Sequence, residues 1–243
     1  MRFIIMHKTN AQWEADAIPS KELVATVGGL LGEMTRAGVL LSGEGLRATS
    51  HGVRLNFSDG KRTITRGPYQ GTREIPAVFS ILNVESIDEA VDWASRSVEG
   101  VDDVEIDIRP VTEPWDIGMA PKPEGRKTTR YMALRKANDA YEAGTPPSPK
   151  QKAAMARLID ETTRSGVHLV TEKLEPSSKG RRYRVTQGKL SITDGPFAES
   201  KEMIAGYVLF RANSLEEAAE WAPRYAVAVD CHELDLRQVA DEL

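Results

Sequence analysis

The residues best suited to chemistry lie together in Thr193-Asp194-Gly195-Pro196-Phe197-Ala198-Glu199-Ser200-Lys201-Glu202. Asp194 precedes Gly-Pro, where the chain must turn. A carboxylate at a strand end beside a cavity suits acid/base work or ligand binding. An aspartate in an x-Gly-Pro turn equally suits capping of backbone N–H groups. Glu199, Lys201 and Glu202 read either as a solvated charged loop or as a lid. Phe197, and Tyr207 at the start of the next strand, are candidate cavity walls, with core packing the alternative for Tyr207.

The four histidines, His7, His51, His168 and His232, are scattered, and none makes a metal-ligand spacing. His7 falls at the end of a strand, a rim position, and His168 falls within one; both are candidate ligand contacts. Cys231 and His232 are adjacent, so on a strand their side chains point to opposite faces, which disfavours a nucleophile pair. The lone cysteine excludes an internal disulfide and a multi-cysteine zinc site. Gly28-Gly29 sits inside a helical pattern and lacks a phosphate-loop signature. Neither a metal nor a cofactor is expected.

The elements that position these residues come in two copies. At an offset of 128, residues 2–111 align with 130–239 without a gap and share 40 identities in 110 pairs. Unrelated sequences would share roughly 6%, about seven. The spacing is too long for a solenoid unit, so the chain reads as one domain written twice: 1–111, a linker over 112–128, and 129–243. The linker holds three prolines and two glycines. Arg66 stands where the second copy has Asp194. A cavity lined by both copies would then carry one acid and one guanidinium, which suits an anionic ligand.

Each copy reads as strand, helix, strand, hairpin, strand, helix, strand. Leu23, Val27, Leu30, Leu31 and Met34 recur at helical spacing, and Gly38 and Gly166 sit where that helix ends. Asp59-Gly60 and Gln187-Gly188 make hairpin turns. Ser86 with Glu89, and Ser214 with Glu217, read as capping boxes. The last strands are Val104 to Ile108 and Cys231 to Leu236. This order describes an α+β unit, ferredoxin-like with an inserted hairpin, which leaves one sheet face uncovered. The second copy supplies the cover. The expectation is a pseudo-dimeric, α/β-barrel-like unit with two sheets facing across a cavity, against the alternative of two independent beads.

With 28% charged and 40% hydrophobic residues, the composition is globular, and a formal charge of −4 disfavours a broad nucleic-acid-binding face. Lys179-Gly180-Arg181-Arg182-Tyr183-Arg184 reads better as a charged hairpin edge than as a nucleic-acid contact. No apolar run approaches a membrane span. MRFIIMHK is too short for a signal peptide, and the expected location is cytoplasmic.

The stretch from Asp194 to Glu202 resembles the DGPFAETKE signature of the DGPF branch of the YCII-related family. Ser165-Gly166-Val167, Glu172 to Pro176 and the Leu-Glu-Glu-Ala-x-x-Trp-Ala helix support it across copy two. Copy one is looser, with Gly43-Glu44-Gly45-Leu46 close to the family's GEGL and Arg66-Gly67-Pro68-Tyr69 departing from DGPF. The resemblance implies ferredoxin-like units paired through their sheets. It also implies either small-molecule chemistry or a regulatory module linked to an extracytoplasmic-function sigma factor. A histidine–aspartate dyad of some members has no counterpart, because neither first helix holds a histidine. Two function classes follow: a small-molecule enzyme or binder using the inter-repeat cavity, and a non-catalytic protein-binding module.

Overall fold

The computed structural model describes residues 1–99, 101, 103–197 and 200–241. The first repeat runs β1 (Arg2–Lys8), α1 (Ala11–Glu14), α2 (Lys21–Arg36), β2 (Leu40–Gly45), β3 (Val53–Ser58), β4 (Lys61–Arg66), β5 (Pro76–Val84), α3 (Ile87–Ser97) and β6 (Val104–Pro110). The second runs β7 (Thr129–Lys136), α4 (Asp139–Glu142), α5 (Pro149–Arg164), β8 (His168–Lys173), β9 (Gly180–Thr186), β10 (Lys189–Asp194), β11 (Ile204–Arg211), α6 (Leu215–Ala228) and β12 (Glu233–Gln238).

Local chemistry explains most boundaries. Ser148 caps α5 in a full capping box with Gln151, and Pro149 occupies the first turn, where its missing N–H costs nothing. Both hairpin turns place two residues at positive φ, Asp59-Gly60 at 54° and 69° and Gln187-Gly188 at 50° and 73°. That backbone twist matches the flanking strands. The caps of α3 and α6 differ from expectation. Ser86 and Ser214 do accept from the Glu89 and Glu217 amides, at 3.1 and 3.2 Å. The glutamates, however, accept from Glu85 and Asn213, one residue before the cap. The last strand begins at Glu233, so Cys231 and His232 precede it and the strand-alternation argument does not apply to them.

The twelve strands form two antiparallel sheets, ordered β10-β9-β12-β1-β11-β2 and β4-β3-β6-β7-β5-β8. Neither sheet belongs to one repeat. β1 lies between β11 and β12, and β7 lies between β5 and β6. Each repeat sends its opening strand-helix-strand into the other's sheet. The helices follow: α2 packs beside α6 over the first sheet, and α3 packs with α5 over the second. The repeats are therefore not independent beads.

The inner faces of the sheets meet in a packed layer. Ile4, Met6, Tyr207 and Leu209 of the first sheet touch Phe79, Ile81, Met132 and Leu134 of the second. The Phe79 and Tyr207 rings sit 5.0 Å apart. Most of the expected inter-sheet cavity is thus filled core. The 112–128 segment joins β6 to β7, which are antiparallel neighbours in one sheet. It is a loop between adjacent strands, not a tether between separate bodies. Among the described residues no helix is long and apolar enough to cross a membrane.

Candidate functional site

At one rim of the inter-sheet layer the packing opens into a cavity of about 430 Å³. Two ion pairs cross from sheet to sheet at its edge. Arg2 on β1 reaches Glu172 on β8 at 2.6 Å, and Arg130 on β7 reaches Glu44 on β2. The four residues are matched pairs at the offset of 128, so strand exchange sets the two bridges in pseudo-twofold relation. Arg130 is held further by Glu113 at 2.8 Å. The hydrogen bonding that Arg130 donates to Glu113 is the largest cause raising the Arg130 pKa, so its charge is fixed. Leu41, Ile81, Val170 and Leu209 form the apolar floor.

Tyr207 breaks the symmetry of this cavity. Its mate is Phe79, so only one side carries a hydroxyl. Burial pushes that hydroxyl up to about 12, against a hydrogen bond with Ser42, and the phenol stays protonated at neutral pH. Neither histidine nor cysteine lines the cavity among the described residues. The arrangement orients and holds; it offers donors and acceptors around an apolar floor.

The Asp194 motif lies elsewhere. Asp194 ends the edge strand β10, with its side chain 80% exposed and paired to Arg181 at 3.0 Å. Arg66 ends the edge strand β4 of the other sheet and pairs with exposed Asp88 at 2.6 Å. The expectation that both line a shared cavity is corrected. Edge hairpins carry them, and their ion pairs are local. Glu199 lies outside the described residues.

The rest of the motif is a structural clamp. A Cβ on Gly195 would stand 1.8 Å from the Ser177 carbonyl oxygen, and one on Gly67 would stand 1.7 Å from that of Thr49. Only glycine permits this approach. The Phe197 amide donates to Ser177 Oγ at 3.0 Å, and Glu142 on α4 accepts from the Ser177 amide. The buried Phe197 ring lies 4.7 Å from the Arg182 guanidinium. In copy one, Arg54 covers Tyr69 at 4.4 Å. Phe197 is therefore a plug rather than a cavity wall.

Behind each clamp lies a buried charge cluster that takes its lysine from the other repeat. Arg54 donates to Asp107 at 2.6 Å, while Lys136 meets Glu74, Glu105 and Asp107. Arg182 donates to Asp235 at 2.6 Å, and Lys8 sits 3.2 Å from Asp235. Burial is the largest cause raising the Glu74 pKa, and Lys136 opposes it. Arg109 ties the sheets through the carbonyl of Ile204.

His7 is buried under α6, not at a rim. Burial, with Arg109, lowers its pKa to about 4. His168 lies on the outer face of the second sheet, where its Nε2 is 2.9 Å from Thr171 Oγ1. Burial lowers its pKa as well. Cys231 is buried and its thiol is pushed up to about 12 by burial, while His232 is half-exposed near Glu202. Among the described residues no group of three or more His, Cys, Asp or Glu side chains converges as a metal site requires. Of the candidates read from sequence that fall among the described residues, Tyr207 alone reaches the inter-sheet cavity. Its charged lining was missed, although the matched pairs Arg2/Arg130 and Glu44/Glu172 could have signalled it.

The comparisons agree with this duplicated architecture. The YCII-related domain matches twice, over residues 1–113 and 129–229. An uncharacterised protein of Rhizobium meliloti (strain 1021) is 38% identical over 50 residues. That stretch covers 21% of this chain and 40% of the relative's length. The chain belongs to the YCII-related family, whose domain it carries in tandem.

Proposed function

We propose that this YCII-related protein binds a small organic molecule in the cavity between its two sheets. The observation supporting this reading is the matched pair of cross-sheet bridges, Arg2–Glu172 and Arg130–Glu44, set around an apolar floor with the hydroxyls of Tyr207 and Ser42 on one side. A ligand with polar groups at both ends of an apolar middle fits that lining. Binding is favoured over turnover because the two lining carboxylates, Glu172 and Glu44, are each held in an ion pair with an arginine. In this reading Asp194 and Arg66 hold edge strands, the Asp194–Glu202 stretch is taken as the signature of the DGPF branch, and the two exchanged sheets serve as a ferredoxin-like, barrel-like pair.

The test is thermal-shift screening of the full chain against polar small organic molecules, repeated on Tyr207→Phe and Glu44→Gln. Compounds that stabilise the wild type and lose that effect in both variants are expected. Hits that stabilise all three proteins equally, or no hit at all, would overturn the reading. A second reading is a regulatory module that holds a protein such as a sigma factor. It is favoured by the exposed apolar side chains of Val185, Leu190 and Ile192 on the β9–β10 hairpin. Replacing Leu190 and Ile192 with lysine separates the two, since it leaves the cavity intact.

A further inference from the structure

The two helix-covered sheet faces are related by the repeat, yet only one of them is filled. Over the first sheet, Tyr225 of α6, Met34 of α2, Ile5 of β1 and Phe210 of β11 are all buried in one cluster. Their mates over the second sheet are Ser97, Thr162, Ala133 and Leu82. Each exchange removes volume. The result is a cavity of about 50 Å³ between α3, α5 and the sheet, lined by all four of those smaller residues. A water needs roughly 10–15 Å³ on this measure, so the space holds about four water-sized groups.

The polar groups of this cavity are also particular to this half. His7, which meets the Tyr225 hydroxyl in the filled half, has Arg135 as its mate. Arg135 lines the open cavity, and its guanidinium lies 5.8 Å from the Tyr141 ring. Among the described residues it makes neither an ion pair nor a hydrogen bond, and the lining contains no carboxylate. Burial lowers the Arg135 pKa, as befits a charge without a counter-ion. Opposite stands a hydroxyl chain, with Ser80 Oγ 2.8 Å from Thr171 Oγ1 and that oxygen 2.9 Å from His168 Nε2. Trp93, Met155 and Leu158 close the apolar side.

We propose that this second cavity is a binding site for a short-chain monocarboxylate of acetate to butyrate size, with the carboxylate on Arg135 and the alkyl chain against Trp93 and Met155. A guanidinium lacking a carboxylate is completed by one, because the planar fork matches it in two hydrogen bonds. The site is separate from the inter-sheet cavity, which lies on the opposite face of the sheet.

The test is calorimetric titration of the full chain with acetate, propionate and butyrate at constant ionic strength, beside 1-propanol and 1-butanol. Saturable carboxylate binding is expected, at least tenfold tighter than that of the matched alcohol. Arg135→Met should erase that preference. Ser97→Tyr, which refills the space as Tyr225 does, should abolish binding by at least tenfold without lowering the melting temperature. Should Ser97→Tyr fail to fold, Ala133→Ile narrows the same cavity and carries the same expectation. Absence of saturable binding by the wild type, or binding undiminished in Arg135→Met and in the filled variant, would overturn the proposal. Tyr207→Phe leaves this titration unchanged, so failure here is distinct from failure of the inter-sheet reading.

Discussion

The hydroxyl of Tyr225 lies 3.1 Å from Nδ1 of His7, and both side chains are sealed beneath α6. Burial and the charge of Arg109 hold the His7 pKa near 4, against 6.5 in the unfolded chain. Between those values the unfolded state binds the proton and the folded state does not. The stabilisation is complete above pH 6.5 and is lost as the pH falls toward 4, by about 3 kcal/mol. Urea unfolding at pH 7, 5.5 and 4 should record that decline. In His7→Leu/Tyr225→Phe, which removes both partners of the hydrogen bond, this part of the acid dependence should vanish. An unchanged acid limb would assign it to other groups.

Gly195 and Gly28 predict opposite outcomes for one substitution. Gly195→Ala drives a methyl group into the Ser177 backbone, which cannot swing aside, and should cost about 3 kcal/mol. Gly28 is exposed within α2, and its added Cβ would meet nothing within 4 Å. Gly28→Ala should therefore stabilise by about 0.5–1 kcal/mol through backbone entropy. Chemical denaturation of the two variants side by side tests both signs.

Lys136 sits among Glu74, Glu105 and Asp107, all contributed by the other repeat. Lys136→Met leaves these carboxylates with Arg54 as their cation and should cost about 3–5 kcal/mol at pH 7. Adding Glu74→Gln removes one uncompensated charge and should recover part of that loss. Strict additivity of the two changes would argue against their coupling.

Residues 129–243 alone provide β7 and β8 for one sheet and β9 to β12 for another. Two copies can exchange their opening strands and rebuild both sheets. Sedimentation of this fragment should report a dimer; a stable monomer would argue against the exchange.

Much of the architecture was legible in the sequence because its causes are local. The turn at Asp59-Gly60, the stops at Gly38 and Gly166, and the duplication itself follow from residue types and spacing. The exchange of strands was not, since β1 finds equivalent neighbours in β5 and β6 or in β11 and β12, and pattern alone does not choose between them. Asp194 is a carboxylate beside Gly-Pro, yet the demand at that place is steric and belongs to Gly195, against a Ser177 that α4 holds through Glu142. The short helices α1 and α4 lack hydrophobic periodicity, so residue pattern alone does not mark them. The cavity edge was missed because Arg2 and Glu172 are 170 residues apart and meet only after the exchange.

The loop over 112–128 joins two strands that lie side by side in one sheet. A pair of separate chains exchanging strands in this way would come apart on dilution, and its melting temperature would follow protein concentration. Here the partner is always within reach, because the loop holds it at a fixed effective concentration however dilute the solution. Folding of this assembly is thereby a unimolecular event, and the lysines that complete each buried charge cluster are present in every molecule that is made.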